Sequence, residues 1–248
     1  MRSNIIDCAS RLRSIIVSTA AMYVVTHLMV FALMPVAFMV FTFGAENTIN
    51  KFKRFFADAV FDVIGKKIRV IGMEKIRNDK KYLVVCNYPS GYVTFALMKS
   101  FLSITFVADD FLTKLPFIVF FLKHIGAIFV DQKNAWKSRA AIDERLKNRS
   151  REIQYLLIYP EGRRTVDGQI GRFKYGFIYI LRHSNFDLLP VTANGFYQLK
   201  PVRRLYLDPG ADLEIKINDP IEHAEIEKMN KVRIAARSED LIKKAYRP

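Results

Sequence analysis

Short apolar runs recur along the chain from residue 68 onward, each stopped by glycine, proline or a charged cluster. Seven of them read as strands: Ile68–Ile71, Tyr82–Cys86, Ile104–Val107, Ala127–Val130, Tyr155–Tyr159, Leu188–Ala193 and Leu213–Ile217. Leu156, Leu157, Ile158 and Tyr159 are apolar without alternation, the pattern of a strand buried on both faces, and Pro160 cannot continue a central ladder. Helical periodicity lies between several runs, over Ala135–Asn148 and Gly176–His183, and a polar helix over Lys228–Tyr246 closes the chain. Strands alternating with helices predict an α/β fold, one sheet with helices on its faces.

The first 64 residues follow another pattern. From Ile15 to Phe43 there is no Asp, Glu, Lys or Arg, a length beyond the roughly 20 residues that a spanning helix needs. The run is too long for the core of a cleaved leader and has no small-residue cleavage site, so it reads as a membrane segment. Arg11 and Arg13 precede it, and Lys51, Lys53 and Arg54 follow, which leaves two readings: a re-entrant or steeply tilted anchor kinked at Pro35, or a single span. His27 inside it reads as a packing or interfacial residue. Asn47–Ile64 then repeats Phe52, Phe55, Phe56, Ala59, Val60 and Val63 at helical spacing, with Lys51, Lys53 and Arg54 available to lipid phosphates. The expected division is residues 1–64 as anchor and amphipathic linker, and residues 65–248 as the α/β domain. Phe111–Val130 is apolar enough to raise a second span, but Lys114, Pro116, Lys123, His124 and Gly126 interrupt it and favour a helix followed by a strand.

Composition narrows the partners. A formal net charge of +15 calls for an anionic one. Nucleic acid is disfavoured, because the basic residues are scattered and no zinc-finger spacing or aromatic RNA-binding signature accompanies them. Cys8 and Cys86 lie far apart, which argues against a disulfide framework and for a reducing compartment. No metal site is expected, since no histidine or cysteine has a neighbour at ligand spacing.

The chemistry concentrates after Tyr159, in Pro160-Glu161-Gly162-Arg163-Arg164-Thr165. In open α/β sheets ligands bind at the carboxyl ends of strands, where this stretch falls. Gly162 permits close backbone approach, Glu161 can accept from a hydroxyl, and Arg163 and Arg164 offer planar forks suited to phosphate. An exposed turn carrying a solvated charge pair is the plainer alternative.

P-E-G-x-R-T after an apolar strand resembles the P-E-G-T-R-S box of the glycerolipid acyltransferases, the 1-acylglycerol-3-phosphate O-acyltransferase family. Other blocks follow in that family's order. Gly126–Asp131 resembles its G-x-I-F-V-D segment and Lys114-Leu115-Pro116-Phe117 its K-I-P-F. Gly171-Arg172-Phe173-Lys174-Tyr175-Gly176 resembles its F-K-x-G segment, Leu189-Pro190-Val191 its late P-V strand, and Pro209-Gly210 through Pro220-Ile221 its closing strands. The similarity covers about Lys67 to Ile221. It implies a mixed, largely parallel sheet flanked by helices and a membrane-docking helix pair at the N-terminus. It also implies transfer of a fatty acyl group from acyl-CoA or an acyl carrier protein to a lysophospholipid on the cytoplasmic face of a membrane, with no cofactor beyond the thioester co-substrate.

The same resemblance exposes departures. The family's base and its orienting carboxylate stand as N-H-x-x-x-x-D after an early strand, at the start of a helix. Here that place reads Asn87-Tyr88-Pro89-Ser90-Gly91-Tyr92-Val93, so Tyr88 and Val93 occupy the catalytic positions. A phenol titrates near 10 against about 6.5 for imidazole, and valine accepts no hydrogen bond. No histidine in the chain has an acidic residue five places on. Ser90 as a nucleophile would need a base beside it, and otherwise reads as a turn or cap residue. Gln132 replaces an arginine, Asp109 and Asp110 stand where the family often has lysines, and Arg163 replaces a threonine. Asn87, Ser90, Gly162, Arg163, Arg164, Lys174 and Gln132 are the expected substrate-binding positions. Tyr88, Val93 and Glu161 are the catalytic ones, with Glu161 positioning the acceptor. Two functions follow: an acyltransferase using Tyr88 as a perturbed base or hydrogen-bond donor, or an inactive member of the fold that binds lipid or a partner.

Overall fold

A computed structural model describes residues 19–20, 23, 38–40, 42–44, 46–101, 103–109, 114, 119–120, 122–123, 127–131, 133–149 and 153–247. The anchor run from Ile15 to Phe43, with His27 and Pro35, lies for the most part outside these residues, as does most of Phe111–Gly126. Cys8, Asp110 and Gln132 also lie outside them. Among the described residues no helix is long and apolar enough to cross a membrane.

All seven expected strands are present: β1 (Ile68–Ile71), β2 (Tyr82–Cys86), β3 (Ile104–Asp109), β4 (Ile128–Val130), β5 (Tyr155–Ile158), β6 (Asp187–Asn194) and β7 (Leu213–Ile217). They form one sheet in the order β1-β7-β6-β2-β5-β3-β4. Five neighbours from β6 to β4 are parallel, while β7 meets β6 antiparallel and β1 follows β7, so the last two run the other way. β2 is central. Its Leu83 lies opposite both Leu156 and Leu188, and all five of its residues are buried.

That burial has two sides because side chains alternate across a strand. Tyr82, Val84 and Cys86 pack on one face with Ala57 and Phe61 of α1 (Glu46–Val63) and with Val93 and Leu97 of α2 (Tyr92–Ser100). Leu83 and Val85 pack on the other with Ile142 of α3 (Ala135–Arg149), Phe177 of α4 (Gly176–Arg182) and Ile234 of a C-terminal helix. Helices therefore cover both faces. α5 (Phe196–Leu199) is a single turn after β6.

α6 (His223–Glu227) is a short helix that the sequence pattern did not single out, and α7 (Lys231–Ala245) falls within the helix expected over Lys228–Tyr246, its start fixed by the Asn230 side chain, which accepts from the Arg233 amide. One expectation needs correction. Lys53, expected at lipid phosphates beside Lys51 and Arg54, is buried, whereas those two are exposed. α1 packs against α2, with Phe56 and Phe95 ring centroids 5.8 Å apart and Lys99 Nζ 2.7 Å from the Asp58 carboxylate.

β6 is followed by Gly195, whose φ of 76° belongs to the left-handed region. A β-carbon there would collide with the carbonyl of Asp212, just before β7. Gly195→Ala should therefore cost about 2–4 kcal/mol through backbone strain and forced separation of β6 from β7, measured as a lowered urea midpoint in detergent.

Candidate active site

Parallel strands end side by side, so the segments leaving β2, β5, β3 and β4 meet along one edge. What lets β2 turn away there is Asn87. Its side chain donates to the Ala193 carbonyl (3.1 Å) and accepts from the Ala193 amide (2.8 Å), standing in for a strand partner after Cys86 pairs with Val191. Asn87 was expected to bind substrate; its amide group is engaged by the sheet. Ser90, also expected to bind substrate, is buried off the cavity, and its carbonyl accepts from the Val93 amide where α2 begins.

Glu161 joins three loops. One carboxylate oxygen accepts from the Tyr88 amide and the other from the Gly171 amide, each at 2.8 Å. The Tyr88 carbonyl accepts from the Thr165 amide at 3.1 Å, and the Pro160 carbonyl from the Lys174 amide at 2.9 Å. Gly162, at φ 72°, closes the tight turn from Tyr159 with an amide bond of 3.0 Å to the Tyr159 carbonyl. Glu161 is itself buried. Burial pushes its carboxyl above the usual range, against the pull of the Gly171 and Tyr88 amides.

Tyr88 is fixed at its ring as well as its backbone. It stacks on Tyr159 with centroids 3.9 Å apart and planes 8° from parallel, and the Tyr159 hydroxyl pairs with Thr94 Oγ at 2.9 Å. Burial raises the Tyr88 phenol above its ordinary value; the Arg164 charge and a hydrogen bond with Thr94 oppose this without reversing it. The phenol therefore keeps its proton at neutral pH. Val93 is fully buried among Val84, Cys86 and Leu97, and supplies no partner to the ring.

These groups border one cavity of about 890 Å³. Tyr88, Gly162, Arg163, Arg164 and Lys174 all line it, so five of the expected positions come together. Asn87, Ser90, Val93 and Glu161 stand behind it, and Gln132 is outside the described residues. Arg163, Arg164 and Lys174 are exposed at its rim, and among the described residues neither guanidinium pairs with a carboxylate. The inner walls are apolar, including Phe106, Val130, Ile142, Ile158 and Phe177. Among the described residues no histidine lines it; its carboxylates are Asp109 and Asp131.

Sequence reasoning missed Thr94, Tyr159 and Arg139 as site residues. Arg139 lines the cavity with Ala135, Ser138 and Ile142, the i, i+3, i+4, i+7 face of α3, and its guanidinium lies 5.2 Å from the Tyr179 ring centroid. The spacing was legible; the side of the helix facing a ligand was not.

The family model for acyltransferase matches residues 67–194. A probable 1-acyl-sn-glycerol-3-phosphate acyltransferase of Mycoplasma pneumoniae is 26% identical over 188 residues, covering 69% of this chain and 68% of that protein. The 1-acyl-sn-glycerol-3-phosphate acyltransferase of Borreliella burgdorferi is 27% identical over 173 residues, 67% of each. The crystal structure of PlsC, the 1-acyl-sn-glycerophosphate acyltransferase of Thermotoga maritima, superposes with a TM-score of 0.81 at 21% identity over 95% of both chains, a match of fold.

Because Glu161 binds its proton more tightly when folded, it favours the native state at low pH, and that contribution fades as pH rises from about 4 through its native value. Glu161→Gln should flatten this slope in pH-dependent melting. It should also cost about 1–3 kcal/mol at pH 7, since one backbone amide would face a donor.

Proposed function

The chain belongs to the acyltransferase family, and on that premise we propose that it is a membrane-bound enzyme of phospholipid metabolism. It moves a fatty acyl group from acyl-CoA or an acyl carrier protein to a lysophospholipid of the 1-acylglycerol-3-phosphate kind. The observation that carries this reading is the cavity with cations at its rim and apolar walls within. An amphiphile with a phosphate head and an acyl tail matches that polarity. In this reading residues 1–64 tether the chain and residues 65–248 work at the cytoplasmic face.

Each group then has a task. Arg163, Arg164 and Lys174 hold the acceptor phosphate, with Arg139 adding charge from α3. The acceptor hydroxyl oxygen bonds to the thioester carbon, the carbon–sulfur bond breaks, and the hydroxyl proton ends on the departing thiol. Tyr88, still protonated, donates to the carbonyl oxygen as negative charge builds on it. Glu161 keeps Tyr88 beside Gly162 by holding the loops that carry them. General-base help, worth about 10²–10⁴-fold, is absent from this scheme.

Val93 in the core and the raised phenol favour a second reading, in which the cavity binds lysophospholipid without turnover and acts on a partner. Purified full-length protein given lysophosphatidate and an acyl thioester separates the two. An enzyme releases thiol only when acceptor is present. Tyr88→Phe should then slow release by about 10²-fold, and Arg163→Ala with Arg164→Ala should raise the acceptor KM about 10–100-fold. A binding protein releases none, retains saturable lysophosphatidate binding that the double arginine variant weakens, and gains release only with Tyr88→His and Val93→Asp together. Melting curves must accompany that pair, because it places a carboxylate in the core. Neither release nor binding would end both readings.

A further inference from the structure

We propose that the loop from Lys200 to Tyr206, which follows α5, is a second membrane contact that dips into the headgroup layer of an anionic bilayer beside the cavity. The inference rests on the membrane-bound reading above and assigns it a particular surface. Lys200-Pro201-Val202-Arg203-Arg204-Leu205-Tyr206 carries three cations, three large apolar or aromatic residues and no acid. Leu205 is 81% exposed, with Tyr206 at 44% and Val202 at 36%. A lone exposed leucine is ordinary on any protein surface. Three such residues, ringed by cations in one short loop, match a lipid interface, where the apolar tip sits below the phosphates, basic groups lie level with them and tyrosine spans both.

The exposure is held by bonds and is not slack. The Arg204 guanidinium donates to the Leu199 carbonyl at 2.9 Å and to that of Gln198, and covers the Tyr206 ring at 4.8 Å. Lys200 donates to the Arg204 carbonyl, and the Asp208 amide to the Leu199 carbonyl at 2.9 Å. Two contacts locate the loop. The hydroxyl of Tyr23, within the charge-free run, donates to the Leu205 carbonyl at 3.0 Å, so this residue of the expected anchor touches the loop directly. Val202 lines the cavity, and Lys200 lies close enough to Arg164 to feel its charge. A lipid held at the exposed Arg203 is therefore next to the cations at the cavity rim.

The test uses the full chain, reconstituted in liposomes of phosphatidylglycerol and phosphatidylcholine, with and without bromines on the acyl chains near the headgroup. Trp136, the single tryptophan, is first replaced by phenylalanine. Tryptophan is then introduced as Leu205→Trp or Tyr206→Trp in the loop, Phe43→Trp in the expected anchor run, or Val232→Trp on α7. The expected result is about twofold or greater quenching by bromolipid for both loop variants and for Phe43→Trp, with Val232→Trp unchanged, since an interfacial side chain lies about 5–10 Å deep. Quenching of Phe43→Trp alone would overturn the loop proposal and leave the membrane reading standing. No quenching at any position would overturn both. Equal quenching at Val232→Trp would also overturn the proposal, because the contact would not be specific to the loop.

Discussion

A single buried carboxylate holds the working edge of this sheet together. Where parallel strands end, the chain leaves the ladder with backbone amides that still need acceptors, and burying them without partners is costly. Glu161 meets that need for two segments at once, taking the amide of Tyr88 from the loop after β2 and the amide of Gly171 from the loop before α4. Asn87 does the corresponding work between β2 and β6. With these two side chains committed to the framework, the loops can face a cavity without relying on ligand to order them.

The same arrangement sets the electrostatics. Cations sit in the open at the rim, where pairing with an anion costs little desolvation, while most of the lining behind them is aromatic or apolar. The position at which the family resemblance implies proton transfer has become a packing unit: Tyr88 lies flat on Tyr159, and Val93 fills the layer between β2 and α2. Burial keeps the Tyr88 proton in place at neutral pH.

Most of the sheet was legible because its strands are short, uninterrupted apolar runs ending in proline, glycine or charge. All seven appear where the pattern puts them, with ends shifted by one or two residues: β3 runs on to Asp109, and β5 stops at Ile158. Arg163, Arg164, Lys174, Gly162 and Tyr88 were legible as a group through motif order. The framework roles of Asn87 and Glu161 were not, because a side chain that bonds a backbone amide 73 or 106 residues away leaves no periodic trace in sequence. Nor was the short helix α6, whose five residues are too few to show a helical period. The buried Lys53 shows the related limit that amphipathic spacing gives a helix its apolar face but not what lies against the polar one.

One feature of the topology bears on how the protein is made. β1 has a single partner, β7, with Ile68 beside Leu213. During synthesis the ribosome delivers the charge-free run and β1 first, and β1 must wait for most of the remaining chain before its ladder can form. Until then it is a bare template for intermolecular pairing, tolerable because it is only four residues long and carries Arg69. A chain cut short before β7 would leave that edge open, giving a protease or chaperone a direct mark of an unfinished molecule.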